Sequence, residues 1–171
     1  MQILRIPKDR VAVVIGKEGA TKKELEAKLN ATLNIDSDIG EIEIVMKEPY
    51  DAVQELRAVD IIRAVGRGFS PEKALNLLDD NFYFEVIDIK EYAGKSQKHI
   101  ARLKARVIGT GGRTRKLIEE LTGAYISIYG STVSIIGELE SLNIAKRAMD
   151  MLLSGCEHST VYRYLERAKA L

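Results

Sequence analysis

Val-Ile-Gly-x-x-Gly occurs twice in this chain, 93 residues apart, and each copy opens a matching stretch. The first runs VIGKEGATKKELEAKLNATLNI from Val14 to Ile35, and the second VIGTGGRTRKLIEELTGAYISI from Val107 to Ile128. A repeat of this kind constrains architecture more than any single motif, because one small unit has been used twice. At 171 residues the chain has room for two units of roughly 80 residues each. The tight Gly-x-x-Gly turn is then a reusable device, since a random loop would not recur at one register.

Each copy predicts the same order of elements. A short strand comes first, Gln2 to Ile6 in the first copy and Tyr83 to Ile89 in the second, where Phe84, Val86 and Ile87 alternate imperfectly with Glu85 and Asp88. A helix follows; in the second copy Ile100, Leu103, Val107 and Ile108 fall on one face. The glycine turn leads into a second helix carrying Leu25 and Leu29, or Leu117, Ile118 and Leu121. Asn30 and Gly123 stand at equivalent places and suit helix C-terminal caps. A hairpin comes next, turning around Asp36 to Gly40 in one copy and Gly130 to Thr132 in the other, two residues shorter. A long helix closes each unit, with Arg57–Ile62 (RAVDII) matching Arg147–Leu152 (RAMDML). Between the units, Ser70-Pro71 predicts a helix N-cap and first turn, with the helix ending near Asp79-Asp80. After the second unit a short helix is expected, capped by Ser159 or Thr160, with Val161, Tyr164, Leu165 and Ala168 on one face.

The fold class is therefore α+β. The order strand, helix, Gly-x-x-Gly, helix, strand, strand, helix, given twice, resembles two type I KH domains in tandem. The resemblance implies a first KH domain over 1–67, a linker helix over 68–81, a second KH domain over 82–155, and a C-terminal helix over 156–171 packed on the second domain.

A net charge of +1 conceals strong local polarisation. From Lys95 to Lys116 there are eight Lys or Arg and no acid, namely Lys95, Lys98, Arg102, Lys104, Arg106, Arg113, Arg115 and Lys116. From Asp36 to Asp60 there are eight acids against Lys47 and Arg57. A near-neutral total is thus no argument against a polyanionic partner. One cysteine, Cys156, and two histidines, His99 and His158, leave no disulfide framework and too few soft ligands for a zinc site. No apolar run approaches the roughly 18 residues of a membrane span, and the first residues lack the apolar core of a signal peptide. A reducing, cytoplasmic setting is expected. No cofactor and no catalytic cluster is implied. Asp36-Ser37-Asp38-Ile39-Gly40 faintly resembles a calcium loop but is better explained as a turn, and Asp79-Asp80 as a helix end.

The glycines let the backbone turn sharply and approach a ligand, and the helix that starts there presents free N–H groups to an anion. KH domains use such a loop to clamp about four single-stranded nucleotides. The second copy is the better equipped. Gly109, Thr110, Gly111 and Gly112 are small and uncharged, Arg113, Arg115 and Lys116 follow at once, and Arg102, Lys104 and Arg106 precede. Three or four phosphate contacts there would give a log–log salt slope of about −2 to −3. In the first copy, Gly16, Lys17, Glu18 and Gly19 are backed by Lys22 and Lys23, while Glu18, Glu24 and Glu26 dilute the field. A second RNA site and a unit kept for packing or a protein partner both stay open. Tyr125 and Tyr129 lie on one side of a hairpin strand, where they could stack on bases or pack across strands.

Three further stretches narrow the resemblance: RGFSPEKALNLLDDNFYFEVIDIKEY, IARLKARVIGTGGRTRKLIEELTGAYISIYGSTVSIIG, and LLSGCEHSTVYRYLER with its Ser159-x-Val161-Tyr162 pattern. Together they resemble the partner-of-Nob (Dim-two) family, which is related to the Krr ribosome-assembly proteins. The resemblance implies a non-enzymatic single-stranded RNA-binding factor of small ribosomal subunit biogenesis, acting near the 3′ end of small-subunit rRNA. The rRNA dimethyltransferase and the 3′-end endonuclease are the implied protein partners. RNA contacts in that family belong chiefly to the second KH unit, which maps them onto Gly109, Thr110, Gly111, Gly112, Arg113, Arg115 and Lys116. Eukaryotic members have lost the first Gly-x-x-Gly and carry N-terminal extensions. Here Gly16-Lys17-Glu18-Gly19 is intact and the sequence begins at its first strand, which points to an archaeal protein. The competing classes are a protein-interaction adaptor docking through the acidic first unit, and a KH protein acting on another RNA.

Overall fold

The computed structural model describes residues 1–170; Leu171, the last residue of the expected C-terminal helix, lies outside the described residues. The chain divides after Leu78 into two compact units. The first contains β1 (Gln2–Arg5), α1 (Lys8–Ile15), α2 (Ala20–Leu29), β2 (Ala31–Asp36), β3 (Glu41–Met46), α3 (Ala52–Gly66) and α4 (Pro71–Ala74). The second contains β4 (Phe82–Asp88), α5 (Lys90–Ala93), α6 (Gln97–Ile108), α7 (Arg113–Thr122), β5 (Tyr125–Tyr129), β6 (Thr132–Glu138), α8 (Leu139–Leu153) and α9 (His158–Ala170). Single 3₁₀ turns occupy Lys17–Gly19, Leu75–Leu78 and Thr110–Gly112.

Each unit has one three-stranded antiparallel sheet with its last strand in the middle, ordered β1-β3-β2 and β4-β6-β5. In the first sheet Leu33 lies opposite Ile44 and Asn34 opposite Glu43, so the pleat turns the apolar set inward and the acids outward. Leu33, Ile42 and Ile44 are fully buried, with Leu25, Leu29, Ile61 and Ile62 from the helices. In the second unit the core gathers Ile126, Val133 and Ile135 of the sheet with Ile100, Leu103, Val107, Ile118 and Met149 of the helices. The helical face expected from Ile100, Leu103 and Val107 is the buried one.

Local chemistry starts and stops these elements. Asp51 caps α3, its carboxylate accepting from the Val53 and Gln54 N–H groups (2.9 and 3.3 Å). Ser96 caps α6 by accepting from the His99 N–H (3.2 Å). Asn30 and Gly123 end α2 and α7 in the left-handed conformation, as their equivalent positions predict. The first hairpin turn closes on Asp36, whose side chain accepts from the Asp38 N–H (3.0 Å) and whose carbonyl accepts from Gly40 (2.9 Å). It is a turn, and among the described residues no group of three His, Cys, Asp or Glu gathers to hold a metal.

Four local expectations shift. The first strand stops at Arg5, although the Ile6 N–H still bonds the Gly40 carbonyl (2.9 Å). The strand expected over Tyr83–Ile89 runs Phe82–Asp88, because Asp88 accepts from the Lys90 N–H (2.9 Å) and starts the one-turn helix α5. The Tyr92 hydroxyl on that turn donates to Asp150 (2.7 Å); burial first and then this carboxylate push it up to about 12. Ser70 and Pro71 do start a helix, but it is a single α turn tightening into 3₁₀, with Ala74 and Leu77 buried. Through Leu78 this segment belongs to the first unit, where Arg57 donates to the Leu78 carbonyl (3.2 Å). Finally, α9 begins at His158, so Ser159 and Thr160 lie inside it; the Glu157 carbonyl accepts from Thr160 and Val161. No described helix is long and apolar enough to cross a membrane.

Candidate nucleic-acid interface

The second glycine loop begins where α6 can no longer continue. Gly109 sits at φ 74°, ψ 174°, a region that essentially only glycine occupies. A Cβ there would also collide with Thr114, 2.7 Å from its backbone nitrogen. Gly111 (φ 62°) and Gly112 (φ 79°) complete the turn, and α7 starts at Arg113. Gly111 would meet nothing within 4 Å, so its glycine serves the backbone conformation and leaves the loop surface open. The first turn of α7 carries no acid, so the positive end of its dipole is unopposed there, with Arg113 and Lys116 beside it.

The cations of this region have unequal roles. Arg113 and Lys116 are exposed, and among the described residues they and Lys104 form no ion pair. Arg115 is different: it pairs with Glu119 one turn on. Arg102 donates to His99 Nε2 (2.8 Å). Arg106 is held by the fold. Its Nε donates to the Leu152 carbonyl (3.0 Å) and its Nη2 to the Cys156 carbonyl, tying α6 to the chain leaving α8. Of the cations singled out from the sequence, Arg102, Arg106 and Arg115 thus already have partners within the protein, and among the described residues only Arg115 has an acidic one.

The first loop has the same backbone. Gly16 lies at φ 72°, ψ −178°, and its missing Cβ would strike Thr21. Glu18 (φ 53°) and Gly19 (φ 76°) take the third and fourth places. Lys17 and Lys23 are exposed and Lys22 half-buried. Two of the acids thought to dilute this field are locally spent. Glu24 pairs with Lys28 (3.0 Å), and Glu26 accepts from the Leu33 N–H (2.9 Å). Glu18 alone stands in the loop with its charge outward.

Three residues at the second loop were not among the RNA-site residues expected from the sequence, although Tyr162 stood out there as part of the C-terminal pattern. Thr114, almost fully buried, shares a hydrogen bond with the Tyr162 hydroxyl (3.0 Å). His158 Nε2 donates to the Arg106 carbonyl (3.0 Å), and its ring meets Tyr162 edge-on at 6.0 Å. The C-terminal helix therefore underpins the loop. A threonine at the same place in both copies, Thr21 and Thr114, was the available signal.

Two β-α-α-β-β-α units, each with a Gly-x-x-Gly turn between paired helices, define a tandem KH protein of type I. Comparison agrees: residues 83–170 match the eukaryotic-type KH domain (KH-domain type I) and residues 1–59 the KH domain. The KH domain-containing protein MJ0443 of Methanocaldococcus jannaschii is 50% identical over 99% of this chain and 74% of its own length. RNA-binding protein pno1 of Drosophila melanogaster is 33% identical over 79% of this chain and 56% of its own. The chain thus spans little more than half of that fly relative. Dim2p of Pyrococcus horikoshii OT3 superposes with a TM-score of 0.89 at 46% identity, covering 97% of this chain and 98% of that one. The same organism's aDim2p, solved in a complex with a/eIF2alpha and rRNA, gives 0.91 at 45% identity over 99% and 93%. The chain belongs to the Pno1/Dim2-type KH family, in its archaeal form.

Proposed function

We propose that this protein binds single-stranded RNA in small ribosomal subunit biogenesis, gripping the 3′ region of small-subunit rRNA through the Gly109–Gly112 loop. The observation that carries the reading is the composition of that loop in its setting. Three glycines and a threonine stand at the acid-free start of a helix, with Arg113 and Lys116 unpaired beside them. Phosphate oxygens fit both halves of that arrangement. The rRNA target rests on relatives: a Pre-rRNA-processing protein pno1 of fission yeast, 30% identical over 67% of this chain, and the Pyrococcus aDim2p complex that contains rRNA. The protein acts by binding rather than catalysis, and brings rRNA-processing or modifying enzymes, such as the dimethyltransferase or the 3′-end endonuclease, to the strand it holds. A protein-docking role for the first unit is favoured by one observation, the outward row of acids on β3 and its hairpin.

The test is equilibrium binding to a single strand copying the 3′ end of small-subunit rRNA, against a scrambled strand, at two salt concentrations. Thr110→Asp puts a carboxylate into the loop at a position of ordinary backbone conformation, and Gly111→Asp does so beside it. Each should lower affinity by about 10- to 100-fold, the worth of one or two charge-assisted hydrogen bonds. Lys17→Asp should change it by less than threefold. Indifference to both second-loop variants would sink the assignment and move the search to partners of the acidic first unit.

A further inference from the structure

Beside the second loop lies an open cavity of about 560 Å³ that the loop alone does not explain. Its walls come from α6, from the loop with the first turn of α7, and from α9; no residue of the sheet lines it. Arg102 and Arg113 stand on it, Thr110 borders it, and the rings of His158 and Tyr162 form its α9 side. None of its lining residues is acidic.

The Tyr162 hydroxyl and the Nε2 of His158 are already committed to the protein. Tyr162 bonds Thr114 (3.0 Å) and His158 bonds the Arg106 carbonyl (3.0 Å), while Arg106 is itself fixed on the Leu152 carbonyl (3.0 Å). These bonds hold the rings in place, so the cavity receives aromatic surface on one side and guanidinium charge on the other. A volume of this size suits a small-molecule-sized guest. An apolar guest would waste two guanidinium groups, and a bare phosphate would waste two rings. A nucleotide uses both, stacking its base on an aromatic surface and placing its phosphate on arginine.

We propose that this cavity is a second nucleotide subsite of the RNA interface, built by the C-terminal helix. It takes a nucleotide of the same strand just beyond those held by the Gly109–Gly112 loop, its phosphate toward Arg102 and Arg113 and its base against His158 and Tyr162. The subsite rests on the reading that the loop grips RNA. The bound strand is then longer than the loop's own footprint of about four nucleotides.

The experiment is a length series of labelled single-stranded RNAs, four to eight nucleotides and extended separately at each end, titrated against the full chain. In the wild type, lengthening past the loop's footprint in one direction should raise affinity about 5- to 100-fold, the worth of one stacked base. His158→Ala and Tyr162→Ala should lose that gain, read within each variant as the ratio of its affinity for the longer RNA to that for the shortest, whatever the lost loop support costs at every length. Tyr162→Phe keeps the ring and should keep the gain, which guards against a variant that merely misfolds. A 4-thiouridine at the added position should photocrosslink to α9. A gain that survives both alanine variants, or crosslinks mapping elsewhere, overturns the subsite while leaving the loop reading intact. Thr110→Asp binding every length like the wild type would instead overturn the loop reading. Adenosine monophosphate filling the cavity, with no gain along the RNA series, would overturn the subsite in favour of a free nucleotide site.

Discussion

The two glycine loops share a backbone and differ in what they offer. Both place a glycine at φ 72–74° with extended ψ, then two further left-handed residues, then a helix. Both set a threonine where a Cβ on the first glycine would fall. Both use a carboxylate of the second helix to hold the next strand, Glu26 on the Leu33 N–H and Glu119 on the Ile126 N–H (2.9 and 3.0 Å). Even the arginine clamp recurs. Arg10 donates to the carbonyls of Val65 and Phe69, as Arg106 does to those of Leu152 and Cys156, each pair four residues apart. The chemistry diverges on this common frame. The third place holds Glu18 in one loop and Gly111 in the other. After the clamp, the chain folds into a short turn on α3 in the first unit, and into the loop-supporting α9 in the second. The frame is thus a folding solution that tolerates either charge; function is decided by what fills the third place and by what stands behind the threonine.

That comparison can be broken first at its most rigid point. Gly16→Ala and Gly109→Ala each combine a glycine-only conformation with a Cβ collision on threonine, and should each cost about 3 kcal/mol or more. Denaturant melts of the full chain measure this. A cost below about 1 kcal/mol in one loop would mean that the two frames are not equivalent. The carboxylate tie is the next largest effect. Glu26→Gln and Glu119→Gln keep the shape but lose the charged acceptor, for about 1 kcal/mol each. Their effects on RNA should differ, because Glu119 also neutralises Arg115. Glu119→Gln frees that guanidinium and should tighten RNA binding a few-fold with a steeper salt slope, whereas Glu26→Gln should leave both unchanged. Equal RNA behaviour in the two variants would remove Arg115 from the interface.

The frame was legible because it is local and repeated. Spacing alone placed the turns, the caps at Asn30 and Gly123, and the hairpins of unequal length, and these stand where expected. Arg106 and Arg115 looked like interface cations because a charge run shows no partners. Arg106 finds its acceptors 46 and 50 residues away, a distance that no periodicity reports. Tyr162 reaches Thr114 across 48 residues for the same reason. The start of α9 at His158 follows from those long-range bonds, which draw residues 156–158 onto α6 and move the helix start ahead of Ser159. Glu26 is the instructive case. Its recurrence as Glu119 was visible in the aligned copies, yet charge counting took it as dilution when it is a bond to the backbone.

The smallest effect is the sharpest test of the comparison, because it changes one loop toward the other. Glu18 holds φ 53° with a side chain, which costs about 1–2 kcal/mol, while glycine would return about 0.5–1 kcal/mol as lost chain entropy. Glu18→Gly should therefore stabilise the protein by up to about 1 kcal/mol. It also removes the only acid of the first loop and leaves Lys17, Lys22 and Lys23 unopposed there. If the frame is common and Glu18 alone keeps the first loop from RNA, binding to a strand long enough for both loops should tighten and become more salt-dependent. Adding Lys17→Asp to the same chain should cancel the gain. A gain in stability without any change in RNA affinity would show that the first loop lacks more than a glycine. The missing part would then be sought in the helix behind Thr114, for which Thr21 has no counterpart among the described hydrogen bonds.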